Sequence, residues 1–330
     1  MQGGYIITID LGGTKILSAL INAGNEIIAR VKVPTEVKSG KPVITKSLVE
    51  SVNQIVAEGG ITIEEVKAIC IGIPGSVDPY TGLVGIAPNL KLKNFNIKAE
   101  MEKHFSIPIL IENDVNLAAL GIKEFELGDK GRNVLVTFIG TGIGGALLLE
   151  NKLYRGSNYF AGEIGHITVD SKGPVCGCGK KGCLEALASR TAIARNIKKD
   201  IRNGKKSVLG EMLPRNKTIK SKALLQAIKK KDPVATKRIT EACDTIGYMM
   251  GNITNILNLD MIILGGGVIE ALDKFMLPKI KEAFKTTALK DTAKGVKIMA
   301  TKLGDDAALY GGIALAREFL KEDTAENATA

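Results

Sequence analysis

One histidine and three cysteines fall close together near the middle of the chain, at His166, Cys176, Cys178 and Cys183. Three sulfurs and one imidazole are the donor set of a closed, tetrahedral zinc site. Glycines and a proline within residues 167–182 let so short a segment turn back on itself, as ligands of a single ion require. Unrelated thiols are the alternative, but the clustering favours zinc. Because protein ligands would fill all four positions, the predicted zinc is structural and leaves no place for a catalytic water.

Glycines and carboxylates flank this zinc segment, with Glu163 and Glu185 close to its ends. Residues 140–145 also match G-x-G-x-x-G, the pattern of dinucleotide-binding loops. Such a loop must open a helix whose N-terminus meets the pyrophosphate, whereas the next residues turn after about five positions and predict a hairpin. The sequence therefore disfavours NAD as a ligand.

A second glycine loop follows the predicted strand 5–9, and it contains Asp10, Gly12, Gly13, Thr14 and Lys15. It joins two strands, whereas a P-loop opens a helix. Its glycines would let backbone N–H groups approach a phosphate, Thr14 and Lys15 add donors, and Asp10 could hold Mg²⁺ through water. A plain hairpin turn is the alternative for this loop taken alone. Residues 134–149 repeat the order of strand, glycine loop and strand, so the two hairpins predict two phosphate-binding loops for one nucleotide.

Hydrophobic periodicity predicts the α/β class, with strands and helices in alternation. The predicted helices cover residues 47–58, 97–104, 189–202, 221–231, 233–257 and 307–321, and further strands cover 26–33, 66–73, 107–111, 133–139, 261–264 and 296–301. Strand 107–111 leads into Glu112, Asn113 and Asp114, at the strand end where open α/β sheets bind ligands. The three glycines at 265–267 would let a nucleoside lie against bare backbone.

The bulk properties of the chain limit its partners and its location. Its 330 residues suffice for two domains, and its formal net charge is +10. Because the lysines are dispersed, we interpret the charge as a solvated surface and not as a nucleic-acid site. No apolar run approaches the ~20 residues that span a bilayer, and no signal-peptide pattern is visible. Clustered thiols without an export signal predict a reducing, cytoplasmic location, with Cys70 and Cys243 as plain buried residues.

Taken together, the motifs of residues 5–321 resemble the ROK family (repressor, open reading frame, kinase). The loop of Asp10 resembles the family's first phosphate loop, and the glycines at 142, 144, 156, 162 and 165 and the cysteine motif 176–183 fit its signature. The resemblance implies an α/β protein of the actin-like/hexokinase (ribonuclease H-like) ATPase fold, with two lobes and a cleft between them. It implies a small lobe from residues 1–116 and 307–322, a large lobe from 117–306 that contains the zinc segment 166–183, and a disordered tail at 323–330.

The resemblance also implies a role for individual residues. Asp114 would be the catalytic base that takes the proton of a sugar hydroxyl as its oxygen attacks the γ-phosphorus of ATP. The implied sugar-binding residues are Gly75, Asn89, Asn113, Asp114, Glu163, His166 and Glu185. The implied ATP- and Mg²⁺-binding residues are Asp10, Gly12, Gly13, Thr14, Lys15, Thr141, Gly142, Gly265, Gly266 and Gly267. His166 would bind zinc through one ring nitrogen and leave the other for the sugar.

Within the family, residues 88–90 and 163–169 look most like glucokinases, which implies phosphorylation of glucose to glucose 6-phosphate in glycolysis. Residues 91–94 depart from the Gly-Trp that glucokinases often carry there, so a kinase for N-acetylmannosamine, mannose or fructose is an alternative. A non-catalytic sugar sensor is another. Family repressors carry a helix-turn-helix domain before the first phosphate loop, and we expect none here because nine residues precede Asp10.

The retained Asp114 also favours the kinase over the sensor. A zinc module that binds nucleic acid is a third possibility, but its segment lacks aromatic residues beside the basic ones. The resemblance implies that the partners are the sugar and MgATP and that the chain forms a homodimer or homotetramer. Neither a nucleic acid nor a membrane is an expected partner.

Overall fold

The computed structural model describes residues 4–36, 41–212 and 218–326. Contacts within the chain divide it into two compact units. The first unit comprises Met1–Gly128, Arg155–Ala161 and Asp305–Ala330, and the second comprises Asp129–Tyr154 and Gly162–Gly304. The seven residues Arg155–Ala161 thus belong to the first unit, although the chain on either side of them belongs to the second.

A five-stranded sheet forms the centre of the first unit, in the order β3-β2-β1-β4-β7. The strands of this unit are β1 (Tyr5–Leu11), β2 (Lys15–Ile21), β3 (Ile27–Pro34), β4 (Val66–Ile73), β5 (Leu83–Ala87), β6 (Leu92–Asn96) and β7 (Ile109–Asn113). Strands β1, β2 and β3 form an antiparallel meander, while β4 and β7 run parallel to β1. The parallel strands are buried on both faces, which is why their sequences are nearly continuous apolar runs.

A second five-stranded sheet forms the centre of the second unit, in the order β10-β9-β8-β11-β12. Its strands are β8 (Val134–Ile139), β9 (Ile143–Leu149), β10 (Lys152–Tyr154), β11 (Met261–Gly265) and β12 (Lys297–Ala300). Here too an antiparallel meander continues into two parallel strands. The two sheets therefore have the same topology, and each begins with a hairpin around a glycine loop, which confirms the predicted repeat.

Eleven α-helices are assigned in the described part of the chain. In chain order they are α1 (Lys41–Gly59), α2 (Ile97–Glu102), α3 (Asp114–Ile122), α4 (Leu184–Ala188), α5 (Arg190–Arg202), α6 (Val208–Met212), α7 (Ser221–Lys229), α8 (Pro233–Leu257), α9 (Gly267–Thr287), α10 (Lys290–Ala293) and α11 (Ala307–Glu326). None of these helices is both long and apolar enough to cross a bilayer. Helices α1, α2, α3 and α11 belong to the first unit and the other seven to the second.

The predicted strands and helices are confirmed in type, but some of them differ in extent and several observed elements were not predicted. Helix α1 begins six residues before the predicted position 47. The predicted elements leave residues 74–96 unassigned, and in this stretch β5 pairs with β6 in a small separate hairpin. Helix α3 had not been predicted, because its sequence is apolar nearly all round and lacks an amphipathic period.

The boundaries expected from the resemblance differ from the observed units at α3. The expected small lobe ended at residue 116, inside this helix, but α3 packs against α11 and lies in the first unit to its end. Helix α11 includes four residues of the predicted disordered tail, and residues 327–330 lie outside the described part.

Close packing of α3 on α11 depends on two glycines. A Cβ atom on Gly121 would lie 2.1 Å from the carbonyl oxygen of Ala307, and one on Gly311 would lie 1.7 Å from that of Leu117. Both obstacles are backbone atoms, which cannot turn aside as a flexible side chain can. The two helices thus approach each other as closely as their backbones allow.

Replacing Gly311 by alanine should therefore destabilise the first unit. The added methyl group must push α3 and α11 apart, and overpacking of this kind typically costs about 1 to 3 kcal/mol. Urea denaturation of the variant and the wild type would measure the difference. Gly210→Ala is a matched control within helix α6, since the nearest atom to the new Cβ is a side-chain atom of Ile201 at 3.3 Å. Equal free energies of unfolding for the two variants would contradict this account.

Candidate functional site

The four predicted zinc ligands converge in the second unit. The nitrogen of His166 and the sulfurs of Cys176, Cys178 and Cys183 all lie within 4.8 Å of one another. His166 ends a short 3-10 turn, and Cys183 is the N-cap residue of α4. Backbone bonds hold the intervening loop, since Cys176 N donates to Lys180 O at 2.7 Å and Gly182 N donates to Pro174 O at 2.8 Å. The sequence prediction that these four side chains form one cluster is confirmed.

The spacing of the donor atoms fits a single tetrahedral ion. A zinc ion about 2.3 Å from each thiolate would hold two sulfurs about 3.8 Å apart. The sulfurs of Cys178 and Cys183 are 3.7 Å apart, and Cys176 Sγ is 3.7 Å from His166 Nδ1. The apolar core beneath this segment is small, consisting of Cys176, Cys183 and Ala186. Such a loop has little hydrophobic support of its own, so the donor set and its surroundings suit a structural metal.

Two predicted sugar-binding carboxylates lie beside this cluster. Glu185 Oε2 accepts a hydrogen bond from Ile143 N at 3.0 Å, while its Oε1 lies 3.7 Å from Cys176 Sγ. Glu163 Oε2 lies 3.9 Å from Nε2 of His166, on the opposite ring nitrogen from the cysteines. His166 therefore faces the cysteines with Nδ1 and a carboxylate with Nε2. Glu163, His166 and Glu185 thus form one group in the second unit.

The glycine loop of the second sheet is held against this group and against α5. A Cβ atom on Gly142 would lie 2.2 Å from Glu185 Oε2, so a side chain at this position would displace the carboxylate of Glu185. Thr141 accepts a hydrogen bond on its hydroxyl from Arg190 Nη2 at 2.6 Å, and its carbonyl accepts one from the Thr191 hydroxyl at 2.7 Å. The loop is a hairpin turn between β8 and β9, as the sequence predicted, and it does not open a helix as a dinucleotide-binding loop does.

The glycines at 265–267 join β11 to α9 in the same unit. Gly266 has φ = 85°, in the left-handed region, and a Cβ atom there would lie 2.8 Å from Ile139 O. Only glycine meets both conditions without strain. The bare backbone expected from the sequence is therefore present where the strand passes into the helix.

The glycine loop of the first sheet has a compact hydrogen-bonded shape. Gly12 N donates to Lys15 O at 2.9 Å, and the hydroxyl of Thr35 donates to Gly12 O at 2.7 Å. Gly13 is in contact with the predicted sugar-binding residue Asn89, since a Cβ atom on Gly13 would lie 3.0 Å from Asn89 O. Thr14 is exposed, as a phosphate ligand should be.

Asp10 sits at the end of β1 and is half-buried. Burial raises the pKa of Asp10 to about 6, the ammonium group of Lys15 lowers it, and the carboxylate of Asp305 raises it. Lys15 is itself shared with Asp305, at an Nζ to Oδ2 distance of 3.3 Å. A partly buried carboxylate in this position suits a bound cation, which would favour its ionised form.

Asp10 and Asp114 lie at the same edge of the first sheet. Asp10 pairs with Gly72 across β1 and β4, and Gly72 pairs with Glu112 across β4 and β7. Gly72 lets α3 begin close to the sheet, because a Cβ atom there would lie 3.5 Å from Asp114 Cα and 3.0 Å from a methyl carbon of Leu117. The register thus brings the first glycine loop and the start of α3 to the carboxyl ends of parallel strands.

Asn113 and Asp114 form the N-terminus of α3. Asn113 is its N-cap, with Oδ1 accepting from Val115 N at 2.9 Å and Asn116 N at 3.1 Å. Its Nδ2 donates to the carbonyl of Gly75 at 3.1 Å. Asp114 is half-buried, and its Oδ1 accepts from Val115 N at 2.9 Å. The predicted residues Gly75, Asn113 and Asp114 are therefore one group in the first unit.

Comparison with known proteins identifies the family. A model described as the ROK family matches residues 6–319, nearly the whole chain. The chain belongs to the ROK family. A glucokinase of Halalkalibacterium halodurans is 32% identical over 313 residues, which are 94% of each protein. A xylose repressor of Caldicellulosiruptor bescii is 31% identical over 314 residues, which are 94% of this chain and 78% of the repressor.

A solved structure extends the ROK assignment to the fold. The ROK family glucokinase from Streptomyces griseus, in complex with glucose and AMPPNP, matches with a TM-score of 0.81 at 30% identity. The match covers 96% of this chain and 100% of that one. Together with the ROK family model, it confirms the expected actin-like/hexokinase fold. All the motifs behind the resemblance lie within the matched ROK residues.

Two charged residues lie close to the predicted site but are not among the residues predicted from the sequence. Glu112 is 1% exposed and directly precedes Asn113. Arg155 Nε donates to Glu112 Oε2 at 2.7 Å. A glutamate that closes an apolar strand was a usable signal, because a buried carboxylate needs a partner. No signal in the sequence indicated that Arg155, 43 positions away, is that partner.

Replacing Asp10 by asparagine should stabilise the unliganded protein near neutral pH. The folded-state pKa of about 6 exceeds the ordinary 3.8, so the folded protein binds this proton more tightly than the unfolded chain does. Stability is therefore lost as the pH rises from about 4 through 6, by at most about 3 kcal/mol. Asparagine carries no charge and avoids this loss, so its advantage should grow over that range.

Urea denaturation of both proteins at about pH 4 and about pH 7.5, without nucleotide or Mg²⁺, would measure this difference. The exposed Asp129, changed to asparagine, controls for the loss of one negative charge elsewhere. An advantage of Asp10→Asn that is equal at both pH values would contradict the assignment.

Proposed function

We propose that this ROK protein is an ATP-dependent hexose kinase that phosphorylates glucose to glucose 6-phosphate. The observation that carries the proposal is the placement of Asp114 at the N-terminus of α3, at the same sheet edge as the glycine loop of Asp10. A carboxylate and a candidate phosphate loop are two of the groups that phosphoryl transfer to a hydroxyl uses. The similarity to glucokinases, one of them in complex with glucose and AMPPNP, supports glucose and ATP as the substrates.

In the proposed reaction, Asp114 acts as the general base. Its carboxylate takes the proton of the hexose 6-hydroxyl while that oxygen attacks the γ-phosphorus, and the bond from this phosphorus to the leaving oxygen of ADP breaks. The bond from Val115 N to Oδ1 orients the carboxylate. The products are ADP, the hexose 6-phosphate and the proton first held by Asp114.

We propose that Asn113, Gly75 and Asn89 contact the sugar. Asn113 Nδ2 carries two hydrogens and donates one to Gly75 O, so the second can donate to a sugar hydroxyl. Its Oδ1 is engaged by the first turn of α3, which fixes the direction of the amide. Asn89 lies against Gly13 and links the sugar to the first glycine loop.

Glu163, His166 and Glu185 are the sugar ligands that we propose in the second unit. Each hydroxyl of a hexose can donate and accept, so carboxylates beside an imidazole suit neighbouring hydroxyls. His166 turns Nδ1 towards the cysteines, which leaves Nε2 on the side of Glu163 for a hydroxyl. Glu185 is oriented by Ile143 N, from the strand that follows the second glycine loop.

The nucleotide is proposed to bind at the three glycine segments. These are Asp10, Gly12, Gly13, Thr14 and Lys15 in the first unit, and Thr141, Gly142, Gly265, Gly266 and Gly267 in the second. Mg²⁺ bound at Asp10 through water would supply charge neutralisation at the phosphates. Hydroxyl, ammonium and backbone N–H groups of these segments would orient the phosphate oxygens.

A non-catalytic sugar sensor is the second candidate, because the xylose repressor is nearly as similar as the glucokinase. The retained Asp114 favours the kinase. The rate at which ADP forms from ATP distinguishes a kinase from a sensor. With MgATP, the wild type should release ADP fastest with glucose, compared with mannose, fructose, N-acetylglucosamine and N-acetylmannosamine.

Asp114→Ala should lower the turnover number by about 10²- to 10⁴-fold, because it removes the base. Its affinity for ATP and for glucose, measured by calorimetry, should change little. Asp291→Ala is the control for loss of an exposed aspartate. A wild type that binds glucose but forms no ADP with any sugar would favour the sensor. A preference for another sugar would leave the proposed mechanism unchanged but identify that sugar as the substrate.

We also propose that His166, Cys176, Cys178 and Cys183 hold one structural zinc ion. Protein purified without chelator should contain about one zinc ion per chain, measured by inductively coupled plasma mass spectrometry. Cys178→Ser should remove it and lower both the melting temperature and the glucose affinity, because the ion supports the turn that presents His166. Cys243→Ala, at a buried cysteine outside the cluster, should keep the zinc. Full activity in a zinc-free wild type would overturn this role.

A further inference from the structure

Glu112 is a charged residue in an apolar position. It lies in β7 between apolar neighbours and the start of α3, and only 1% of its surface is exposed. Burying a carboxylate this deeply is costly unless hydrogen bonds and a cation compensate for the lost contact with water. Both of its oxygens are engaged, Oε1 by two donors of the α3 N-terminus and Oε2 by the guanidinium of Arg155.

Arg155 is nearly as deeply buried, and it contacts two carboxylates. Its side chain is 10% exposed, its Nε donates to Glu112, and its Nη1 and Nη2 face the two oxygens of Glu318 on α11 at 3.2 and 3.4 Å. Burial works against the charge, but Glu112 and Glu318 outweigh it and raise the pKa of Arg155 above its usual range. The planar guanidinium serves both partners at once, which a lysine ammonium cannot do with the same geometry.

The Oε1 atom of Glu112 holds the two ends of the first turn of α3. It accepts from the backbone N of Asn113 at 2.9 Å and from Nδ2 of Asn116 at 3.0 Å. Asp114 lies between those two residues. The peptide that carries the proposed base is therefore bracketed by bonds to one buried carboxylate.

The segment of Arg155 is attached to the first unit by more than this ion pair. It closes on itself through Ala161 N, which donates to Arg155 O at 3.0 Å, and it turns at Gly156, where φ is 72°. The ring of Tyr159 packs at 5.4 Å from the ring of Tyr80. Within this segment, Arg155 is the residue that forms ion pairs with the first unit.

We propose that Arg155 is a positioning residue for the base Asp114 and acts through Glu112. Arg155 fixes the orientation of the Glu112 carboxylate, and Glu112 in turn holds Asn113 and Asn116 so that the carboxylate of Asp114 points at the substrate hydroxyl. The inference rests on the proposed kinase function, because Asp114 is a base only in that reaction. Its structural part concerns the first turn of α3 and holds whatever the substrate is.

Arg155→Met tests the link with a side chain of similar length and no charge. The variant removes the hydrogen bond and the cation that hold Oε2 of the buried Glu112, so this carboxylate should reorient and its bonds to α3 should loosen. We expect the turnover number with glucose to fall between about 10-fold and 100-fold, as a displacement near 1 Å can cause, with the KM for ATP changed by less than about threefold. Arg155→Lys should recover part of this loss.

A matched control exists in the second unit. Arg238 donates through Nε and Nη2 to the buried carboxylate of Asp200, at 2.7 and 2.9 Å. Arg238→Met therefore removes an arginine–carboxylate pair outside the candidate site, while Lys205 Nζ still donates to Asp200 Oδ1 at 2.9 Å. It should lower the melting temperature but keep the turnover number within about threefold of the wild type. Equal turnover in the two variants would make Arg155 a structural residue only and overturn the proposal.

A double variant tests whether Arg155 acts through Glu112. Glu112→Gln alone should also lower turnover, since its amide cannot accept from both α3 and Arg155 in the same way. If the two residues form one link, Glu112→Gln combined with Arg155→Met should be no slower than the slower single variant. Multiplied losses in the double variant would show that Arg155 acts by another route, which contradicts the proposal.

Amide hydrogen exchange decides the structural part without any turnover. The amides of Asn113, Val115 and Asn116 should lose protection in Arg155→Met and keep it in Arg238→Met. Unchanged protection in Arg155→Met would overturn the inference, even if the variant is slow. A wild type that phosphorylates no sugar would instead disprove the proposed function, and exchange would still show whether Arg155 holds this turn.

Discussion

A carboxylate buried at the end of a strand is the constraint on which the first unit's candidate site depends. Glu112 is fully enclosed and must be neutralised, and Arg155 supplies the charge from a segment distant in the chain. Buried ion pairs contribute little net stability, but breaking one leaves an unpaired charge at a large cost. The pair is therefore a strong restraint on geometry, and the restrained residues are those that begin α3. In our proposal, this ion pair positions the candidate base Asp114 through the bonds of Glu112 to Asn113 and Asn116.

The repeated sheet explains why the chain has two glycine hairpins. Each sheet starts with a strand, a tight glycine turn and a returning strand, and each adds two parallel strands beside the first. The parallel strands end at the edge where the turn lies, so backbone N–H groups and strand-end side chains are collected there. In the first unit this edge holds Asp10 and Asp114, and in the second it holds Thr141 and the glycines after β11.

The predicted zinc segment, residues 166–183, has few buried apolar side chains to order it. Its buried cluster is small, and Ile167, Val169 and Val175 are exposed. A metal ion can replace the missing hydrophobic support, because its binding free energy becomes folding free energy. If the proposed ion is bound, His166 would connect it to the neighbouring carboxylate Glu163 through the two nitrogens of one ring. The proposed sugar ligands of the second unit would thereby depend on the metal.

The sequence alone determined the features that depend on local spacing. These were the strands, most helices, the glycine turns and the cysteine–histidine cluster, because each follows from periodicity or from ligands close together in the chain. Tertiary structure decided the remainder. Helix α3 forms under the packing of α11, although its own sequence lacks an amphipathic pattern. Arg155 meets Glu112 across 43 positions, and no local rule pairs residues so far apart. The family resemblance of the sequence named the candidate base, and only the fold brought Arg155 and Glu112 together beside it.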